Sequence, residues 1–299
     1  MQPLAKPVPW FDRLAARVNN VLLIDAIAAP SLFLVVTWGF EKTLARLVGQ
    51  FALLGVLLRP TLLRSPYLWA AIATISTIAL VQGWSSADNH KYLLAYWLWV
   101  MTLATLVRDE ELGELILVRH ARFFLVFVFL VAALQKLFSP TYMSGEMFEL
   151  KLLLDERFKA FGHLLGFDKS IADSARMLIS KLQSPLNQFE NNTIRLPAND
   201  TSRMLALVIT WYDLVVQFAI GLLFLPCRKI TDRIGHIVLL FFIYTTYLPA
   251  PVFGFGWTLS IYGFSLARSQ SPLMPLAYVG AFIAVLCYQV PWREWVLTW

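Results

Sequence analysis

The sequence predicts an all-α integral membrane protein, a polytopic bundle of about eight to nine transmembrane helices with one long extracytoplasmic helical connection. Two observations carry this. Hydrophobic residues make up 58% of the 299 residues and charged residues only 15%, with 11 tryptophans. The mean hydropathy is +0.63. No soluble globular domain has that composition. The apolar residues also fall in long runs, and a run of roughly 20 is what one helix needs to cross a bilayer.

Such runs lie near 20–38, 66–83, 90–107, 119–138, 203–225, 234–250 and 272–290. Two weaker segments complete the count. Gln50 to Leu58 is short and stopped by Arg59-Pro60, which fits a re-entrant or tilted helix, and 252–267 is crowded with Gly254, Gly256 and Gly263. The first twenty residues hold Lys6, Asp12, Arg13 and Arg17 and lack a short apolar core, so no cleavable leader is expected.

Basic residues in short loops are retained on the cytoplasmic side. With the N-terminus inside, the inner set is Lys6, Arg13, Arg17, Arg59, Arg64, Arg108, Arg119, Arg122, Arg228, Lys229, Arg233 and Arg268. The outer set is only Lys42, Arg46, Lys91 and Arg293. Residues 1–299 are therefore read as one bundle domain with 139–202 as an extracytoplasmic insertion. Within it, Met147, Leu150, Leu153, Leu154, Phe158, Phe161 and Leu164 recur at helical spacing, as in an amphipathic surface helix. A second, weaker helix is expected from Ser170 to Leu182, and Asn191 to Asp200 reads as loop.

The net charge of +6 sits mostly in loops with no basic patch interleaved with aromatics, so nucleic acid is not an expected partner. Cys227 and Cys287 are read as buried thiols. His90, His120, His163 and His236 are scattered on both sides, and no HExxH, CxxC, GxGxxG or nucleophile elbow occurs, so no metal is expected.

The ionisable residues at the edges of these runs carry the functional signal. Lys136 closes the run Phe123 to Leu134. It shares a helix face with Ala132 and Ala133, opposite Phe127, Leu130 and Leu134, and small residues mark a face that packs on another helix. Two readings stay open, a lysine snorkelling at the outer end of its helix and a desolvated amine able to act as a base. His90, after Asp88-Asn89, opens a span on the same side, either as a ligand partner at the positive helix end or as an interfacial residue facing water.

Asp213 is the deepest acid, about ten residues or roughly 15 Å into its span, with Gln217 and Gly221 continuing a polar and small stripe. It reads as an interhelical hydrogen bond or a catalytic group; Asp25 reads as structural. Tyr244-Thr245-Thr246-Tyr247-Leu248-Pro249-Ala250-Pro251 puts hydroxyls and broken backbone at the outer end of a span, where such backbone normally lines a cavity. Phe253-Gly254-Phe255-Gly256-Trp257 comes next, a slot for a ring-shaped ligand or plain interfacial packing.

Several of these residues carry a resemblance. Asn89-His90-Lys91-Tyr92-Leu93, then Ala133-Leu134-Gln135-Lys136-Leu137 with Tyr142 and Gly145, then Asp213-Leu214 and Arg233-Ile234-Gly235 look like the membrane half of vitamin K-dependent gamma-glutamyl carboxylase. That half is the horizontally transferred transmembrane domain of many bacterial proteins. The resemblance runs from His90 to Ala267, some three fifths of the chain. It implies a bacterial inner-membrane protein in which Lys136 is the base that deprotonates a reduced vitamin K or another quinone, starting its oxygenation. It implies His90 as a site residue, and Tyr244, Tyr247, Phe253, Trp257 and Asp213 become candidates for the cofactor side of the site.

Two departures qualify it. The family commonly carries a histidine where this chain reads Ile243-Tyr244-Thr245, and these 299 residues hold no counterpart of the extramembrane region that binds the carboxylase's peptide substrate. Gamma-carboxylation would then need a separate extracytoplasmic protein or peptide partner, as in secreted-peptide maturation. Beside the enzyme stands a different class, a non-enzymatic membrane subunit or scaffold embedded in lipid. Transport is disfavoured by the lack of repeats and paired interrupted helices.

Overall fold

Apolar runs of this length must close their backbone hydrogen bonds within each segment, and the computed structural model does so with helices. It describes residues 10–39, 43–155, 158, 169–182, 200–247 and 252–289. Among them are thirteen α-helices and no strand: α1 (Trp10–Asn20), α2 (Leu23–Leu34), α3 (Thr43–Leu58), α4 (Pro66–Gln82), α5 (Asn89–Leu106), α6 (Glu110–Leu137), α7 (Pro140–Met143), α8 (Glu146–Leu154), α9 (Lys169–Leu182), α10 (Asp200–Phe224), α11 (Lys229–Tyr247), α12 (Phe253–Ala267) and α13 (Leu273–Gln289). A π-helical turn, Val35–Gly39, extends α2.

Two of these helices, α6 with 28 residues and α10 with 25, are long and apolar enough to cross a membrane by themselves. A third candidate is the pair Leu14–Asn20 and Leu23–Thr37, bent by 93°. Apolar but shorter are Ala45–Leu58, Pro66–Gln82 and Leu273–Cys287. These lengths are compatible with a membrane location; nine crossings are not established by them.

Two boundaries differ from the sequence expectation for a physical reason. The helix expected from residue 119 begins at Glu110, because Asp109 caps it: its Oδ1 accepts from the amides of Glu111 (2.9 Å) and Leu112 (3.2 Å). The charged first turns hide this start from an apolar ruler. Residues 10–20, expected only to precede the first span, form the separate helix α1. At the bend after it, Arg268 donates to the carbonyls of Asn19 (2.5 Å) and Val21 (2.6 Å). Glu114 Oε1 accepts from the amide of Leu23 at 2.7 Å. These side chains satisfy the backbone groups that a sharp helix break exposes.

The glycine-rich segment 252–267, one of the two weaker spans in the sequence, is the buried centre of the bundle. Trp257, Leu259, Ile261, Tyr262, Leu266 and Ala267 are all buried. Thr258, Ser260 and Ser265 return their hydroxyls to carbonyls one turn back, at 2.7, 2.8 and 2.9 Å, so they enter the core satisfied. Its glycines permit close approach: a Cβ at Gly263 would lie 2.1 Å from a ring carbon of Tyr278. Tyr262 stacks on Phe124 of α6, with ring centroids 5.1 Å apart.

One end of the bundle gathers the basic loops. Arg64 pairs with Asp25 and lies 3.6 Å from Glu110, and Arg268 lies 3.4 Å from Glu114. A little deeper, Arg122 binds both carboxylate oxygens of Asp232 at 2.7 and 2.6 Å and the carbonyl of Phe224 at 2.9 Å. The opposite end holds the turn after α6. There α8 packs Phe148 and Leu152 with Tyr142 and Ala206, and its Leu153 joins Ala172 and Ala175 of α9. The amphipathic segment expected to lie on the membrane surface is thus partly a docked helix ending at Leu154; its continuation to Leu164 lies outside the described residues except for Phe158, as does the loop at 191–199.

Candidate functional site

Lys136 is the penultimate residue of α6, and the chain reverses tightly just beyond it. Ser139 caps α7, its Oγ accepting from the amide of Tyr142 at 3.3 Å, with Pro140 at the first helical position. Gly145 then adopts φ +81, a left-handed conformation that L side chains avoid, and starts α8. A Cβ there would sit 3.2 Å from Leu207 of α10. The reversal therefore brings Tyr142 against α10, below Lys136.

Lys136, Tyr142 and α10 meet at Asp213. Its Oδ2 accepts from Lys136 Nζ and from the Tyr142 hydroxyl, while its Oδ1 accepts from Gln217 Nε2 at 2.7 Å. The Lys136 and Asp213 side chains retain 23% and 10% of their exposure. Lys136 Nζ also lies over the Tyr142 ring, 5.3 Å from its centroid. Of the two readings open for Lys136, the inward one describes its geometry.

The depth expected for Asp213 changes with this. The first turns of α10 rise beyond the end of α6 and lean on α8: Ser202 Oγ donates to Glu149 at 3.3 Å, and Arg203 lies 3.7 Å from the same carboxylate. Asp213 is therefore level with the last turn of α6, not half-way down the bundle. Burial, reinforced by the Asp213 charge, pushes the Tyr142 hydroxyl well above its ordinary value of 10. It remains a donor across the accessible pH range.

The cluster opens into a cavity of about 290 Å³. Its polar lining comprises Asn89, Gln135, Lys136, Tyr142, Lys151, Asp213, Gln217, Thr246 and Tyr247; Phe129, Phe148, Phe158, Phe242 and Phe255 supply aromatic walls. Two atoms of lining residues, Gln217 Oε1 and Thr246 Oγ1, are buried with no hydrogen-bond partner among the described residues. Volume and lining are those of a small-molecule site, apolar walls with a few convergent polar groups.

The other candidates divide. Tyr247 is buried and lines the cavity, edge-on to Phe242 at 5.7 Å. His90 is buried just outside that lining, where a Cβ on Gly254 would lie 2.6 Å from its Cδ2; its neighbour Asn89 reaches the wall instead. Asp88 occupies the N-cap position of α5 but its side chain makes no capping bond. Tyr244 is 37% exposed and points away, its hydroxyl 3.6 Å from where a Gly280 Cβ would be. Trp257 lies within the core, stacked on Phe282 at 5.6 Å and donating to that residue's carbonyl at 3.2 Å. The Phe253 side chain and residues 248–251 lie outside the described residues.

No family model, curated protein or solved structure matches this chain. Its chemistry is accordingly read from the residues. Lys136 and Asp213 form a hydrogen-bonded ion pair, Tyr142 and Gln217 fix the carboxylate, and the aromatic walls admit a flat ligand. Among the described residues no group of three or more His, Cys, Asp or Glu is arranged to hold a metal ion. Sequence reasoning assigns no specific chemical role to Tyr142, Gln217 or Thr246. The sequence marks Gln217 by its i, i+4 spacing from Asp213, Thr246 by its place in a hydroxyl-rich run and Tyr142 by the family resemblance; the contact Tyr142 makes depends on a chain reversal that periodicity does not encode.

Proposed function

We propose that this chain is a carboxylase-like membrane enzyme whose cavity binds a reduced quinone, with Lys136 as the base. The observation that carries the proposal is the Lys136–Asp213–Tyr142 cluster at the mouth of an aromatic-walled cavity. The residues suit such a group: about 290 Å³ accommodates a fused two-ring head, near the lower limit of roughly 300 Å³ for drug-sized ligands, while an isoprenoid tail would leave between helices.

A bound reduced quinone would supply the electrons that reduce dioxygen, the products being a quinone epoxide and water. Lys136 must present a neutral amine to accept a phenolic proton. Asp213 Oδ2, the acceptor bonded to Nζ, is where the ammonium's proton would go. Tyr142 donates to Oδ2, which favours the ionised carboxylate and fixes its position between α6 and α10.

The same reading extends to topology. Nine helices, α2 to α6 and α10 to α13, would cross the bacterial inner membrane with the N-terminus cytoplasmic, and the connection with α7 to α9 would be extracytoplasmic. The gathering of Arg64, Arg122 and Arg268 toward one end and of the cavity at the other supports it. A peptide substrate would come from a separate partner.

The test is oxygen-dependent oxidation of a hydroquinone by the purified chain. Lys136→Ala should abolish it, and undiminished turnover by that variant would refute the base assignment. A second reading, a non-catalytic subunit, draws on the closed Lys136–Asp213 pair, which also serves as a tie between α6 and α10. Normal assembly with no turnover in the wild-type chain would favour it.

A further inference from the structure

We infer that Gln217 makes the cavity selective for the reduced, hydroxyl-bearing form of its aromatic ligand over the oxidised, carbonyl form. This rests on the quinone reading of the same site. Asp213 is a carboxylate, which when ionised only accepts hydrogen bonds. Because Gln217 binds Asp213 Oδ1 at 2.7 Å, it must do so through its Nε2, and that contact fixes which way round the amide lies. Its Oε1 is consequently turned elsewhere. That oxygen is buried, lacks a partner among the described residues, and belongs to a residue only 8% exposed that lines the cavity.

A carbonyl oxygen in that position recognises donors alone. A phenolic hydroxyl satisfies it. A quinone carbonyl, which has no proton to give, leaves two acceptors facing each other, and an acceptor buried without a donor weakens binding by roughly five- to a hundredfold. Thr246 Oγ1, the other orphaned atom on the lining, behaves differently. A hydroxyl donates or accepts as needed, so Thr246 contacts both redox forms and discriminates neither. The pair thus divides the work: Thr246 holds a ring oxygen in either state, and Gln217 senses whether a proton is on it. Product loses a contact on oxidation, which favours its exchange for a fresh reduced molecule.

The test is anaerobic equilibrium binding to the full chain in mild detergent, using 1,4-dihydroxynaphthalene, 1,4-naphthoquinone and the redox-inert 1,4-dimethoxynaphthalene. The wild type should bind the dihydroxy probe at least about tenfold more tightly than either of the others. Gln217→Leu should lower that ratio by at least about fivefold, whereas Lys136→Met, which removes the base and keeps Oε1, should leave most of it. Thr246→Val should weaken both redox forms and preserve the ratio. Equal binding of the redox forms to the wild type, or a ratio that survives Gln217→Leu, overturns the inference and leaves the quinone reading standing. Binding of none of the probes overturns both. If Gln217→Leu does not fold, Gln217→Met, which keeps the length of the side chain and lacks the carbonyl, supplies the same comparison.

Discussion

Replacing Asp213 with leucine should be among the most destabilising single changes at the cavity end of the bundle. The substitution removes one acceptor from three donors: Lys136 Nζ, the Tyr142 hydroxyl and Gln217 Nε2. Removing one partner of a fully buried ion pair costs about 3–5 kcal/mol. Here the Lys136 side chain keeps 23% of its exposure and can turn its ammonium into the cavity, which reduces the expected cost to about 2–4 kcal/mol. Lys136→Met should cost less, about 1–2 kcal/mol, because the remaining carboxylate still receives Tyr142 and Gln217 and can take up a proton. The double variant should cost less than the sum, with a coupling of about 1.5–3 kcal/mol. Reversible unfolding in mixed micelles, followed by the fluorescence of the 11 tryptophans, measures each arm of the cycle. A coupling below about 0.5 kcal/mol, the range of exposed pairs, would refute the closed pair and return Lys136 to a snorkelling residue.

Other consequences arise from the same geometry. Tyr142→Phe removes a hydroxyl donated to a carboxylate and should cost about 1.5–3 kcal/mol near neutral pH. The native Tyr142 pKa lies above its unfolded value of 10, so this group's stabilisation is complete below pH 10 and declines above it as the unfolded chain ionises first. The stability difference between wild type and Tyr142→Phe should therefore shrink from about pH 10 upward, by up to about 1.4 kcal/mol per unit; a pH-independent difference in unfolding experiments would contradict this. Arg122→Ala leaves the buried Asp232 without its two-pronged partner and should cost about 3–5 kcal/mol, whereas Arg122→Lys, which cannot reproduce both bonds, should recover only part. Gly263→Ala forces a methyl into the Tyr278 ring and should cost about 1–3 kcal/mol in the same assay. In a background lacking Cys227 and Cys287, Ser144→Cys should react with an impermeant maleimide from outside intact cells and Arg108→Cys only after permeabilisation; the reverse pattern would invert the proposed topology.

How much of this was legible in the sequence depends on the range of the cause. Apolar runs placed α4, α5, α10 and α13 within a few residues, because a helix of lipid-matched length is a local property. The start of α6 escaped for an equally local reason, since Asp109 is a cap and not an apolar residue. The centrality of α12 was hidden: its glycines are breakers when read alone, and only the facing rings of Tyr278 and His90 turn them into close-packing positions. At the site, the small-residue face of Lys136 and the stripe Asp213–Gln217 each indicated an inward direction. Neither predicted that they face each other, because the offset between α6 and α10 is set by α7 and α8. For the same reason Tyr244, the hydroxyl nearest the family's histidine position, faces α13, while Thr246 and Tyr247 two and three residues on reach the cavity.

That offset also separates the two roles open to the Lys136–Asp213 pair. An ion pair near the end of one helix and the middle of another holds their register, and replacing both members by apolar residues should recover about 1.5–3 kcal/mol of the two single losses, enough for the bundle to fold. A tie alone would then be dispensable. A base is not, because the apolar pair packs well but has no site for a proton. Lys136→Met with Asp213→Leu should therefore give a folded bundle that still binds the aromatic probes through its phenylalanine walls and has lost turnover. Stability and chemistry would part company in one molecule, and a double variant that kept both would leave the pair as a helix tie alone.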